Sequence, residues 1–140
     1  MDECIFCNIK KIAEQGILYE DKQCYVALNQ YPVRRGHLLV VSKRHYKDMT
    51  DAPSKLLSHM APIIKRFTLE VNNIFKPKSI KVITNIGDEE EILHFHVHIL
   101  PLYEERAADP HIKGYKMRKK ISEGEKGELL KKFKKYEKNK

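Results

Sequence analysis

The most regular alternation of polar and apolar positions in the chain runs through Ile92–Pro101, where His94, His96 and His98 are separated by Phe95, Val97 and Ile99. Successive side chains of a strand point to opposite faces. The three histidines are therefore expected on one face, with Phe95, Val97 and Ile99 turned into a core and Pro101 at the end of the strand. Upstream, Ile17–Glu20 and Gln23–Leu28 read as a hairpin turning at Asp21-Lys22, and Tyr31-Pro32 stops its second strand. Arg34-Arg35-Gly36 is a polar turn into the apolar run His37–Val41, a buried strand. Pro53 suits the first turn of a long helix. Its stripe is Leu56, Leu57, Met60, Ile64, Phe67, Val71 and Ile74, and Pro62 inside it predicts a kink or a restart. Lys76-Pro77-Lys78 closes the helix, Ser79–Thr84 alternates as a strand, and the loop Asn85–Glu91 leads to the histidine strand. Residues 1–8 read as irregular. Leu129, Leu130, Phe133 and Tyr136 recur at near-helical spacing, which predicts a short amphipathic helix docked on the body or on a partner. Strands, one long helix and more strands predict an α+β fold with an antiparallel sheet.

At 140 residues the chain is expected to form one domain over residues 1–112, followed by a tail over 113–140. The net charge of +8 belongs to that tail, which holds 12 Lys or Arg against 4 Glu. Such a tail can hold nucleic acid or a phosphorylated substrate by charge, or simply stay solvated. No apolar run approaches the roughly 18 residues of a membrane span, and no signal-peptide pattern opens the chain. Three cysteines, with Cys4 and Cys7 two residues apart, fit a reducing, cytoplasmic setting rather than a disulfide framework. Cys24 lies in an apolar stretch and reads as a small buried hydrophobe.

Imidazole acts as base, acid, nucleophile or ligand near neutral pH, so three on one strand face describe a site better than a core. Cys4-Ile5-Phe6-Cys7 offers two thiolates, and His45 lies just beyond the His37 strand. Two cysteines and two histidines form the ligand set of a closed zinc site, and zinc is favoured over a redox dithiol because the order of elements lacks a βαβ unit. Asn29 and Asn85 also suit turns. His59 and His111 match nothing and read as incidental.

The His-x-His-x-His strand ending in Ile99-Leu100-Pro101 resembles the signature of the histidine triad (HIT) superfamily of nucleotide hydrolases and transferases. The likeness covers about residues 4–103. The run from Leu28 through Pro32 and Gly36-His37 to Val41 resembles in particular the fragile histidine triad and diadenosine-polyphosphate-cleaving branch, and Cys4-x-x-Cys7 matches zinc-bearing members. The resemblance implies a five-stranded antiparallel sheet with one long helix and a short C-terminal helix, continued across a homodimer. It implies that His96 is the nucleophile, forming a nucleotidyl-histidine, with its ring oriented by the backbone carbonyl of His94. His98 and His37 would contact phosphate oxygens, Asn29 the ribose and Asn85 the phosphate. A structural zinc would be held by Cys4, Cys7, His45 and the side chain of His94.

The sequence departs from that pattern before the histidine strand, where Asp88-Glu89-Glu90-Glu91 replaces a small-residue, amide-bearing segment. Four carboxylates there would repel a polyanion. Ser42 stands where proline is common, with only local stiffness expected to change. Dinucleoside polyphosphates are the leading substrate class. A nucleoside phosphoramidate, an adenylylated nucleic-acid end gripped by the tail, and a non-catalytic nucleotide sensor are the alternatives.

Overall fold

A computed structural model describes residues 4–87, 92–104 and 118–139. Five strands form one sheet in the order β1-β2-β3-β5-β4, every neighbouring pair antiparallel. They are β1 (Ile17–Glu20), β2 (Cys24–Leu28), β3 (Leu38–Ser42), β4 (Ser79–Ile83) and β5 (His96–Leu102). β5 enters last and pairs between β3 and β4, so it is covered on both edges and all seven of its residues are buried. The expected α+β architecture is present, with the long helix α2 (Ser54–Phe75) and the C-terminal helix α3 (Glu123–Lys138).

Register divides the sheet into two faces. Val26, Leu28, Leu38, Val40, Val97 and Ile99 pack with Met60, Phe67 and Val71 of α2 and Leu129 and Phe133 of α3. On the opposite face, Tyr25, Ala27, Leu39 and Val41 form a second cluster under Phe6 and Ile12. Leu39 pairs with His98 and Val41 with His96, so the histidines belong to this second face.

Several expectations need correction. The N-terminal stretch is not wholly irregular: a 3₁₀ turn (Ile5–Cys7) leads into the helix α1 (Ile9–Gln15), capped by Asn8. Helix α2 runs unbroken through Pro62, and Pro53 is its N-cap rather than part of its first turn. Pro62 and Ser58, whose carbonyl loses its amide partner, are both exposed, so water can take up the lost bond. The stripe also buries Ile63 and Glu70. The histidine strand begins at His96, leaving His94 just before it. His59 is not incidental. Its Nε2 lies 2.7 Å from Asp21 Oδ2, and Asp21 also accepts the amides of Gln23 and Cys24, which fixes the β1–β2 turn. Cys24 is buried beside it, with burial pushing its thiol up to about 12, in keeping with a structural role. His111 and Asp88–Glu91 lie outside the described residues.

Helix α3 docks mainly by burial. Leu129 and Phe133 are each 2% exposed, worth about 1.5–3 kcal/mol apiece. The exposed pair Arg35–Glu128 adds at most about 1 kcal/mol. Arg66 bridges the two helices, bonding Glu70 of α2 at 3.1 Å and Glu137 of α3 at 2.9 Å. Gly36 carries φ +91°, and a Cβ there would stand 2.9 Å from the Phe75 ring. The turn delivering His37 therefore requires glycine.

Candidate functional site

Three local features bring the histidines together. β5 presents His96 and His98, Gly36 delivers His37 at the head of β3, and the bend before β5 holds His94. All four are buried, none more than 4% exposed. His96 Nδ1 donates to the His94 carbonyl at 2.7 Å, leaving its Nε2 with the lone pair. Burial, partly opposed by that bond, pushes His96 down to about 4, so the ring is neutral at physiological pH. Phe6 meets the His96 ring edge-on at 4.9 Å and the His94 ring at 5.9 Å.

A second chain of bonds runs through His37. The Val33 amide can only donate, so at 3.1 Å it makes His37 Nδ1 an acceptor. His37 Nε2 then carries the proton and donates to His98 Nδ1 at 2.9 Å. That leaves His98 Nε2–H as a buried donor with no partner among the described residues. An orphaned buried donor costs about 1–3 kcal/mol, which a ligand oxygen would recover. Burial pushes His37 down to about 3 and His98 well below its ordinary value, and the nearby Arg118 adds to both shifts.

Beside these rings lies a cluster of metal-ligating type. Cys4 Sγ and Cys7 Sγ stand 3.2 and 3.4 Å from His94 Nδ1, Cys7 Sγ 3.3 Å from His45 Nδ1, and the two Nδ1 atoms 3.1 Å apart. Zinc bound at its usual distances separates tetrahedral N and S ligands by about 3.3–3.8 Å, close to these spacings. His94 Nε2 donates to the Ser42 carbonyl at 2.6 Å, which turns the Nδ1 lone pair toward the sulfurs. The donor set and the His94 tautomer fit a zinc ion.

A model of the HIT domain matches residues 10–105. The chain belongs to the HIT family. Its fold is similar to that of a hypothetical histidine triad nucleotide-binding protein from Sulfolobus tokodaii, with a TM-score of 0.79 and 31% identity over 97% of this chain and 93% of that one. A zinc-bound histidine triad family protein from Mycobacterium smegmatis shares the fold at TM-score 0.70 and 23% identity, covering 99% and 98% of the two chains. The Arabidopsis thaliana adenylylsulfatase HINT3 is 27% identical over 71% of this chain and 52% of its own length.

In this HIT chain Asn29 is buried, its Oδ1 accepting the Tyr31 amide at 2.9 Å and its Nδ2 3.4 Å from the His37 ring. Turn building and a place beside the histidines therefore coincide. Asn85 is half-buried and follows Thr84, whose hydroxyl donates to the His96 carbonyl at 2.7 Å. Sequence reasoning missed the parts played by Val33, Ser42, Phe6 and Arg118. For Val33 and Ser42 the acting atoms are backbone atoms and leave no side-chain signal. Phe6 was visible as the apolar residue inside the CxxC motif. Ser42 does more than change stiffness, since its hydroxyl also donates to the Arg44 carbonyl at 2.8 Å.

His37 yields a pH prediction. Its folded value of about 3 lies below the ordinary 6.5, so unfolding below pH 6.5 takes up a proton. The stability contributed by the neutral ring is full above that point and drains as pH falls toward 3. Urea denaturation should show wild type losing about 1.4 kcal/mol per pH unit more than His37→Gln between roughly pH 6 and pH 4. Equal acid slopes would contradict the buried neutral ring.

Proposed function

We propose that this HIT chain cleaves dinucleoside polyphosphates by transferring a nucleotidyl group, in the first instance adenylyl, to His96 and then to water or another oxygen acceptor. The observation that carries the reading is the pair of complementary nitrogens, a lone pair at His96 Nε2 and an N–H at His98 Nε2, on rings 4.9 Å apart. His96 Nε2 forms a bond to the α-phosphorus while the bridging P–O bond breaks, and its electron pair leaves with the departing nucleotide. The His94 carbonyl supports the positive charge that develops on His96. His98 donates to a phosphate oxygen where charge builds, and His37 acts through His98, holding its tautomer. Water then attacks phosphorus, breaks the N–P bond and loses its proton to solvent. One difficult displacement becomes two easier ones.

The same rings favour this substrate class. His98 is held far below its ordinary value, so it offers a hydrogen bond rather than a proton. A nucleotide leaves a phosphoanhydride as a stable anion and needs no proton, whereas the amine of a phosphoramidate must acquire one. Asn29 and Asn85 are assigned to ribose and phosphate. Intact-mass measurement after brief mixing with diadenosine tetraphosphate, quenched in alkali, should show an adenylyl adduct on wild type and none on His96→Ala. A wild type lacking both adduct and products would overturn the reading.

The Cys4, Cys7, His45 and His94 cluster is assigned to a structural zinc. The ion would tie the N-terminal segment to the strand that bears the nucleophile, and no step of the chemistry above passes through it. Metal analysis of purified protein should find a single zinc per chain, with most of it lost in Cys4→Ser and Cys7→Ser. Full stability of metal-free protein would refute the assignment.

The sheet is assigned to continue across a homodimer through β4, one of its two edge strands. Val82 on β4 and Leu69 on α2 are large apolar residues each about half exposed, as an uncovered interface requires. Light scattering should give the mass of two chains for wild type and of one for Val82→Lys. A monomeric wild type would exclude this assembly.

A further inference from the structure

The HIT match ends at residue 105, yet the segment entering α3 grips the turn that carries Asn29 and His37. The Ile121 amide donates to the Gln30 carbonyl at 2.7 Å, and Arg118 Nε donates to the Tyr31 carbonyl at 2.7 Å. These carbonyls belong to consecutive peptide groups, and each group leads into the site. The Gln30 carbonyl shares its peptide plane with the Tyr31 amide, which donates to Asn29 Oδ1 at 2.9 Å. The Tyr31 carbonyl belongs to the peptide that enters Pro32. The proline ring fixes φ, so one soft torsion, the Pro32 ψ, separates that plane from the next, which carries the Val33 amide. That amide donates to His37 Nδ1 at 3.1 Å, and His37 Nε2 donates on to His98 at 2.9 Å.

We propose that the segment Arg118–Ile121 positions the histidine site, holding the two peptide planes through which Asn29 is placed and the His37 tautomer is set. The consequence for turnover rests on the nucleotide reading above; the consequence for the rings does not. The segment suits this part because its downstream end is anchored. Ser122 caps α3 by accepting the Glu125 amide at 3.1 Å, Leu129 and Phe133 bury that helix in the core, and the Ile121 side chain packs against the same core. The peptide between Gln30 and Tyr31 accepts at one end and donates at the other, so each bond polarises its neighbour. Without the two grips, the Val33 amide would swing away and His37 Nδ1 would lose its fixed donor. His37 would then carry its proton on either nitrogen, and only the Nε2 form leaves His98 with an N–H at its own Nε2. Both ties end on backbone carbonyls, so the proposal asks no ligand to touch either residue.

Ring 15N spectra of the full-length, zinc-supplemented protein labelled at histidine test this, alongside steady-state turnover of diadenosine tetraphosphate. In wild type the His37 and His98 rings should each show a protonated Nε2 and a bare Nδ1. Ile121→Pro removes the amide donor and Arg118→Met the guanidinium. In each, the two His37 nitrogens should move toward the averaged shift of exchanging tautomers, and kcat should fall about tenfold, the order expected for one lost hydrogen bond. Ile121→Ala keeps the amide and loses packing, so it should be less stable yet keep the wild-type ring shifts. Wild-type ring shifts in Arg118→Met, or in a folded Ile121→Pro, would overturn the inference. Rings altered as much in Ile121→Ala as in Ile121→Pro would reduce the contact to general stability and also overturn it. Ring shifts that follow the expected pattern in a protein that does not cleave the dinucleotide would uphold the inference and overturn the substrate reading alone.

Discussion

Everything in the site turns on how His94 is held. Its ring donates through Nε2 to the Ser42 carbonyl at 2.6 Å, and its own carbonyl accepts from His96 Nδ1 at 2.7 Å. The first bond aims a lone pair at the sulfurs of Cys4 and Cys7, and the second leaves a lone pair on His96 Nε2. Rotating the peptide at His94 would disturb both. Its position in a bend just before β5 lets one residue serve two neighbours, because a residue inside the ladder has its carbonyl committed to the sheet.

The fold supplies the dryness that these tautomers need. α2 and α3 close one face of the sheet with Phe67, Val71, Leu129 and Phe133, while Phe6 and Ile12 close part of the other over Tyr25 and Val41. In such surroundings protonating an imidazole is costly, so His37, His96 and His98 remain neutral and each proton has a definite place. Two neutral rings that differ only in which nitrogen bears hydrogen supply one acceptor and one donor without any net charge.

The elements most legible in the sequence are those whose pattern has a single solution. Alternation through His94–Ile99 fits only a strand, and Gly36-His37 followed by four apolar residues fits only a buried one, so β3 and β5 lie within a residue or two of expectation. Helix α1 was illegible because Ile9–Gln15 is short and has little stripe beyond Ile9 and Ile12. Pro62 was misread because breaking a helix depends on whether the orphaned carbonyl is buried, a fact of tertiary structure. His59 looked incidental because its partner, Asp21, is 38 residues away. The gathering of Cys4, Cys7, His45 and His94 was implied by the resemblance to zinc-bearing members, but the tautomer relay from Val33 to His98 was not, since it begins at an amide that every residue but proline possesses.

Cys4 and His94 stand 3.2 Å apart in space and 90 residues apart in sequence. During synthesis the two thiols therefore leave the ribosome long before the imidazole that will face them. Throughout that interval they are ordinary surface thiols, open to oxidants and to any soft cation at hand. The cluster therefore closes only once most of the sheet has been made, and until then its two thiols meet whatever redox conditions surround the nascent polypeptide.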